Sequence, residues 1–247
     1  MIKLSKRMRA VASMVTQGYK LCDVGTDHGY VPISLVTDGT IPEAIAVDIN
    51  KGPLERANLH IRSCGLEDKI TTRLSDGLSA VKEGEAESII IAGMGGELVI
   101  HILKEGDAVC KKAKELILQP QSDIHKVRYY VRNAGYKIVD EDMVLEDGKY
   151  YPIMRVVNDT NNYAWDNMDD ISVAVCDLYG PFLIKNGNPV LRKFLVKEHH
   201  KLADIMRQLK KQESSDAILN RIEQVNKQIE YNEAAYSTMG AIRNAGI

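Results

Sequence analysis

Leu21-Cys22-Asp23-Val24-Gly25-Thr26-Asp27-His28-Gly29-Tyr30 is the stretch from which the fold reads outward. A short apolar run, Lys20–Val24, ends in an acid and two glycines four residues apart, and a helical pattern, Tyr30–Asp38, follows at once. A strand that enters a glycine-rich turn and then a helix lets backbone approach a ligand and aims helix N–H groups at it. The pattern repeats. Apolar runs at Ala44–Asp48, Ile70–Ser75, Ser88–Ala92 and Leu116–Gln119 alternate with helical patterns over Gly52–Cys64, Gly77–Lys82, Glu97–Glu105 and Ile124–Ala134. Such βαβ alternation predicts a parallel sheet, and runs that are apolar throughout suit strands covered on both faces. Two further strands, Lys137–Leu145 and Tyr150–Val157, flank an Asp147-Gly148 pair that predicts an antiparallel hairpin at the sheet edge. An amphipathic helix carrying Met8, Val11, Ala12 and Val15 on one face precedes the first strand.

The 247 residues are 45% hydrophobic and 27% charged, with 7 prolines, which excludes the disordered, collagenous and low-complexity classes. No run approaches the roughly 18 apolar residues of a membrane span. The opening MIKLSKRMRA has basic residues without an apolar run or a cleavage site behind them, so no secretory signal is expected and the cytoplasm is the default. The four cysteines, Cys22, Cys64, Cys110 and Cys176, match neither a metal knuckle nor a disulfide framework and are expected as reduced thiols. No metal site is expected.

Past Asn158 the polar, acidic stretch 159–170 reads as a linker, and a different pattern begins. Leu191, Leu195, Glu198, Leu202, Ile205 and Leu209 stand at alternating intervals of four and three, as do Ile218, Ile222, Val225, Ile229, Asn232 and Tyr236. Glu198 and Asn232 are the only polar interruptions. Two such helices joined by Gln212–Ser215 predict an antiparallel coiled-coil hairpin, with two ordinary surface helices as the alternative. The expected organisation is a sheet domain over 1–158 and a helical, coiled-coil domain over 159–247. The residues Ser237–Ile247 carry no assignment.

Four successive strand ends bear Gly/Asp-rich turns: Gly25 to Gly29, Val47-Asp48, Ser75-Asp76-Gly77 and Ala92-Gly93-Met94-Gly95-Gly96. All fall at the carboxyl edge of a parallel sheet, where open α/β sheets bind ligands. Asp27 stands where a dinucleotide-binding turn has its middle glycine, and a carboxylate repels a diphosphate. There is no GxxxxGK[ST] loop for ATP or GTP either. Acidic turns suit S-adenosylmethionine, which carries a sulfonium and an ammonium and no phosphate. The set resembles a class I S-adenosylmethionine-dependent methyltransferase. More narrowly, LSKRM, DVGTDHGYVP, ITTRLSDGL, IIIAGMGGELVIHIL, LILQPQ, LEDGKYY and GPFLIKN, in this order, resemble the bacterial tRNA (adenine-N1)-methyltransferases that modify adenine 22 of the D-arm. That resemblance implies a Rossmann-like catalytic domain, S-adenosylmethionine as methyl donor and tRNA as substrate. It is least distinctive beyond Lys211.

On this reading the cofactor set is Asp23, Gly25, Thr26, Gly29, Asp48, Ile49, Asp76, Gly77, Gly93, Met94 and Gly95. Asp23 would pair with the methionyl ammonium, Asp48 accept from the ribose hydroxyls and Asp76 accept from the adenine amine. A structural hydrogen bond for Asp23 and a helix N-cap for Asp48 are the plainer alternatives. The catalytic candidates are Asp27, His28 and Tyr30. Adenine N1 already holds a lone pair in its plane, so no base need deprotonate it; the enzyme must extrude the base, align it and tolerate a cationic product. Asp27 can accept from the N6 amine and stabilise that charge, Tyr30 can stack on the base, and His28 can orient it. Their plainer alternatives are a helix cap, a core aromatic and a satisfied structural histidine. The fourth strand end lacks [DN]PP[YFW], which counts against exocyclic-amine methylation, and the turns lack a cysteine for covalent cytosine chemistry.

The net charge of −2 hides segregation: residues 1–20, 108–137 and 185–212 carry +5, +5 and +6, and the segments between them are acidic. Segregated positive charge suits a polyanion. Lys6, Arg7 and Arg9 on the first helix, and Arg192, Lys193, Lys197 and Lys201 on the coiled coil, are the candidate RNA contacts, with solvated surface charge as the alternative. A monomer is expected, with a coiled-coil-mediated dimer as the other arrangement. The rival functions are a methyltransferase for another RNA or a small molecule, a non-enzymatic RNA-binding or assembly protein, and an NAD-dependent oxidoreductase.

Overall fold

A computed structural model describes residues 3–159 and 170–244, and the chain divides into two compact units, Met1–Asn162 and Tyr163–Ile247. In the first unit the elements run α1 (Lys6–Ser13), β1 (Leu21–Val24), α2 (Tyr30–Thr37), β2 (Ala44–Asp48), α3 (Lys51–Ser63), β3 (Ile70–Leu74), β4 (Ser88–Met94), α4 (Gly96–Glu105), α5 (Asp107–Lys112), β5 (Glu115–Pro120), α6 (Ile124–Asn133), β6 (Tyr136–Glu146) and β7 (Lys149–Asn158). They build one seven-stranded sheet in the order β3-β2-β1-β4-β5-β7-β6. Strands β1 to β5 are parallel, β7 runs antiparallel to β5, and β6 antiparallel to β7. The expected Rossmann-like sheet with an antiparallel edge hairpin is therefore present.

Local chemistry accounts for the details. Every residue of β1, β2 and β5 is buried, as strands covered on both faces require. Helix α2 packs against α1 and α3, while α4 packs against α5 and α6. Asp147 and Gly148 both take positive φ, 48° and 75°, the conformation a two-residue hairpin turn demands. The strand order reverses between β1 and β4, which opens a crevice at their carboxyl ends. A bulge in β4 between Ala92 and Met94 turns Gly93 to φ 82° at that same edge.

One expectation fails, and one helix was missed. The helix read over Gly77–Lys82 is a series of turns: Ser75 Oγ donates to the Gly77 carbonyl and accepts from the Ala80 amide, so the side chain captures backbone groups a helix would have used. The short helix α5 was not foreseen, because six residues are too few to show a period.

In the second unit the elements are α7 (Asp170–Tyr179), α8 (Pro181–Lys185), α9 (Pro189–Leu209) and α10 (Asp216–Asn244). The hairpin of α9 and α10 closes on Leu202, Met206 and Val225, with Ile205, Leu209, Ile222 and Ile229 packed around them. The two polar interruptions meet each other: Asn232 Nδ2 donates to Glu198 Oε2 and to the Leu195 carbonyl, both at 3.0 Å. It is not a free-standing hairpin, since α7 and α8, absent from the sequence reading, both pack on α10. Helix α10 also runs through the unassigned tail as far as Asn244. Of the expected linker, residues 160–169 lie outside the described residues.

Helix α6 is fastened to β6 by a buried ion pair, Arg128 Nε to Glu141 Oε1 at 2.9 Å. Removing one partner breaks a buried ion pair and leaves the other charge in the core less well compensated. Arg128→Met should therefore cost about 3–5 kcal/mol in urea unfolding, and Arg128→Met with Glu141→Leu should recover most of that loss.

Candidate functional site

The turn after β1 is set by backbone. The Gly25 and Thr26 amides both donate to the Val47 carbonyl, at 2.8 and 3.1 Å, which ties the end of β1 to the end of β2. Gly25 and Gly29 take φ of 74° and 70°, where side chains are strained, and a Cβ on Gly25 would lie 2.3 Å from Met94 Cε of β4. Asp27 also sits at positive φ, 38°, which exposes its carboxylate on the rim. Asp23, Gly25, Thr26, Asp27, His28 and Tyr30 share one cleft of about 120 Å³, whose other walls include Met8, Ile90 and Ala92.

Asp23 is buried, and among the described residues its Oδ2 accepts from Thr26 Oγ1, at 2.7 Å. Burial pushes its carboxyl up to about 6; the Thr26 hydroxyl opposes the rise and the neighbouring Asp48 adds to it. A buried carboxylate with one hydroxyl partner attracts a cation. Asp48, also buried, uses Oδ1 to accept from the Asn50 amide at 2.8 Å. Next to it Ile49 is 58% exposed, an apolar side chain offered to solvent at a strand end. Asp76 is exposed on the turn after β3, where Gly77 packs against Ile102 of α4. Gly93 and Gly95 are exposed at the end of β4, and a Cβ on Gly96 would lie 2.5 Å from the Ser122 carbonyl. Asp48, Ile49, Asp76, Gly77, Gly93, Met94 and Gly95 do not line the small cleft itself; they form the rest of the strand-end edge beside it.

The catalytic candidates have partners that the sequence reading missed. Arg56 Nη2 donates to Asp27 Oδ1 at 2.9 Å, and His28 Nε2 lies 3.4 Å from Asp27 Oδ2. The rings of His28, Tyr30 and His60 form a near-equilateral triangle, with centroids 5.0, 4.9 and 5.7 Å apart. His28 stacks on Tyr30 with their planes 12° apart, His60 is tilted against both, and Tyr30 stays 38% exposed. His60 Nδ1 is 3.0 Å from the His28 carbonyl. Arg56 and His60 stand four apart on α3, so one helix face carries both toward the turn. That spacing was the only signal for them.

The expected RNA contacts separate. Arg7 Nη1 donates to the buried Gln119 at 2.7 Å, its guanidinium lies over Tyr151, and it borders Gly93, so it belongs to the strand-end edge. Lys6 Nζ donates to the Leu145 carbonyl and Arg9 to the Leu4 carbonyl. Much of the second basic block is spent on acids: Lys111 on Asp107, Lys114 on Glu87, Lys126 on Glu97 and Arg128 on Glu141. On α9, Lys193, Lys197 and Lys201 are exposed, and Arg192 lies over Tyr236.

Residues 4–154 match a family described as a methyltransferase domain. A tRNA (adenine(22)-N(1))-methyltransferase of Bacillus subtilis (strain 168) is 36% identical over 208 residues, 84% of this chain and 86% of that one. Among solved structures, the B. subtilis m1A22 tRNA methyltransferase TrmK superposes with a TM-score of 0.84 at 32% identity, covering 96% of this chain and 100% of the other. Streptococcus pneumoniae Sp1610 in complex with S-adenosyl-L-methionine gives 0.80 at 34% identity, over 95% and 100%.

Asp23 makes a pH prediction. Its folded pKa, about 6, lies above the ordinary 3.8, so its contribution to stability is full below pH 3.8 and is lost as pH rises through 6. Relative to Asp23→Asn, the wild type should lose about 2 kcal/mol of unfolding free energy between pH 4 and 7. A pH-independent difference in urea unfolding contradicts this.

Proposed function

The chain belongs to the family of tRNA (adenine(22)-N(1))-methyltransferases, and we propose that it transfers a methyl group from S-adenosylmethionine to N1 of adenine 22 in tRNA. One observation carries the reading beyond the family: the strand-end edge offers two buried carboxylates, Asp23 and Asp48, with Asp27 on the rim where a diphosphate-binding turn needs glycine. This donor set fits a cationic, phosphate-free nucleoside. It does not fit NAD.

S-adenosylmethionine supplies an electrophilic methyl on a cationic sulfur. Asp23 holds the methionyl ammonium, with Gly25, Thr26 and Gly29 giving close backbone approach. Asp48 accepts from the ribose hydroxyls with the oxygen that Asn50 leaves free. Ile49 lies on one face of the adenine, and Asp76 with Gly77 receives its amine edge. Gly93, Met94 and Gly95 close the β4 side, where the φ of 82° at Gly93 strains any side chain.

The extruded target base enters beside His28 and Tyr30. Asp27 accepts from its N6 amine through Oδ2, because Arg56 already occupies Oδ1 and fixes the carboxylate's direction. The same charge stabilises the methylated, cationic ring. Tyr30 offers its exposed surface for stacking, and His28, braced by the ring cluster, orients the base. No proton need leave N1, so His28 is an orienting group rather than a base. Residues 1–158 make the catalytic domain and 159–247 the tRNA-binding domain, in which Arg192, Lys193, Lys197 and Lys201 meet phosphates, as Lys6, Arg7 and Arg9 do near the catalytic edge. The proposal extends to a cytoplasmic monomer.

Incubating unmodified tRNA with the protein and labelled donor should place label on tRNA and arrest reverse transcription at adenine 22, because N1 methylation blocks Watson–Crick pairing. Arrest at no adenine, or label only in other RNA, refutes the assignment. The combined Lys193→Glu, Lys197→Glu and Lys201→Glu variant should lose tRNA binding in a gel shift and keep its affinity for S-adenosylhomocysteine. Unchanged tRNA binding would remove α9 from the RNA-binding surface.

A further inference from the structure

We infer that a groove between α9 and α10 receives an unstacked nucleobase of the substrate tRNA, a contact that rests on the tRNA reading above and adds a second base-recognition site to it. The groove has a volume of about 400 Å³ and is built from second-unit residues alone, among them Val196, His199 and His200 of α9 and Asn232, Glu233 and Tyr236 of α10. It opens where the helical seam turns polar. Between Leu202, Met206 and Val225 on one side and Leu191, Leu195, Ala235 and Met239 on the other, the Glu198–Asn232 pair interrupts the buried apolar residues, and the hydrogen bonds of its members to each other, to the Leu195 carbonyl and from Tyr179 fix the floor.

The walls have the chemistry of a base site. Tyr236 is 40% exposed, and the Arg192 guanidinium lies 5.1 Å from its ring centre, tethered to the Met239 carbonyl. An exposed tyrosine ring beside two imidazoles and the aliphatic Val196 gives flat apolar surface for stacking, the main source of affinity for unpaired bases. Glu233, 3.9 Å from His199, puts one carboxylate at the rim, an acceptor for the amino edge of a purine or cytosine. Charge on the same helix complements a phosphodiester strand. Lys193, Lys197 and Lys201 are exposed and follow Arg192, Val196 and His200 by one residue each, about 100° round the helix. A base in the groove would leave its backbone beside that row. A protein helix seated there would set its apolar face against a carboxylate and two imidazoles bordered by lysines, the poorer match.

The test uses the full chain as wild type, Tyr236→Leu, Val196→Trp and Lys193→Ala. Tyr236→Leu removes the ring and keeps apolar bulk; Val196→Trp fills the groove from an exposed position, so it serves even if the first variant misfolds. Affinity for an unmodified tRNA transcript is read by fluorescence anisotropy across salt concentrations, S-adenosylhomocysteine affinity by calorimetry, and mass by sedimentation. The groove variants should each bind tRNA about ten-fold more weakly with an unchanged slope of log Kd against log salt, and bind S-adenosylhomocysteine as the wild type does. Lys193→Ala should instead lower the slope by about one. Unaltered tRNA affinity in both groove variants, with a wild type that binds and methylates tRNA, overturns the base site alone. So does a wild-type dimer that these variants dissociate, which makes the groove a contact between copies. A wild type that neither binds nor methylates tRNA overturns the tRNA reading itself.

Discussion

Two amides on one carbonyl set the geometry on which the cofactor edge depends. Because Gly25 and Thr26 both donate to Val47, the chain leaving β1 cannot continue upward; it folds over the end of β2 and enters α2 through Gly29. That turn buries Asp23 beneath Thr26, brings Asp48 near enough to raise its pKa, and lifts Asp27 onto the rim. The glycine at 25 follows from its φ of 74°, a conformation side chains rarely adopt, and the Met94 methyl takes up the space a Cβ would need. The turns after β1, β2 and β4 therefore constrain one another, and each acid's environment follows from backbone position.

The electrostatic arrangement is a division of labour. Burying the Asp23 carboxyl at a strand end disfavours its charged form, and perturbed groups of this kind cluster at functional sites. The near-neutral net charge conveys none of this. Of the three basic blocks, the middle one is largely absorbed by ion pairs within the sheet unit, whereas the lysines of α9 face solvent. Clustered charge in sequence is thus two different things in space, ion-paired brackets in one block and exposed charge in another.

The sheet was legible because its signals are periodic and local. Fully apolar strands, glycine turns and an Asp-Gly hairpin each leave a mark within a few residues, and all seven strands fall where those marks predict. The acids Asp23, Asp48 and Asp76 were placed at the sheet edge for the same reason, since each lies within two residues of a strand end. What escaped depends on contacts distant in sequence. Arg56 pairs with Asp27 from 29 residues away, and Arg7 reaches Gln119 across 112. The Gly77–Lys82 turns escaped because one serine side chain outcompeted a weak helical pattern. Helices α7 and α8 escaped because one begins in an acidic stretch and the other is five residues long. The pairing of Glu198 with Asn232 was visible as two interruptions, but only the fold shows that they answer each other.

The central claim is that Asp23, held buried by the β1 turn, binds the ammonium of the methyl donor as a carboxylate. Calorimetric titration of S-adenosylhomocysteine into the wild type and Asp23→Asn, from pH 5 to 8, tests it most directly. Affinity in the wild type should be flat above pH 7 and fall as pH drops through about 6, where the carboxylate takes up its proton, and Asp23→Asn should bind weakly without that dependence. Wild-type affinity that holds constant down to pH 5, or an Asp23→Asn variant with the wild-type profile, would contradict the account.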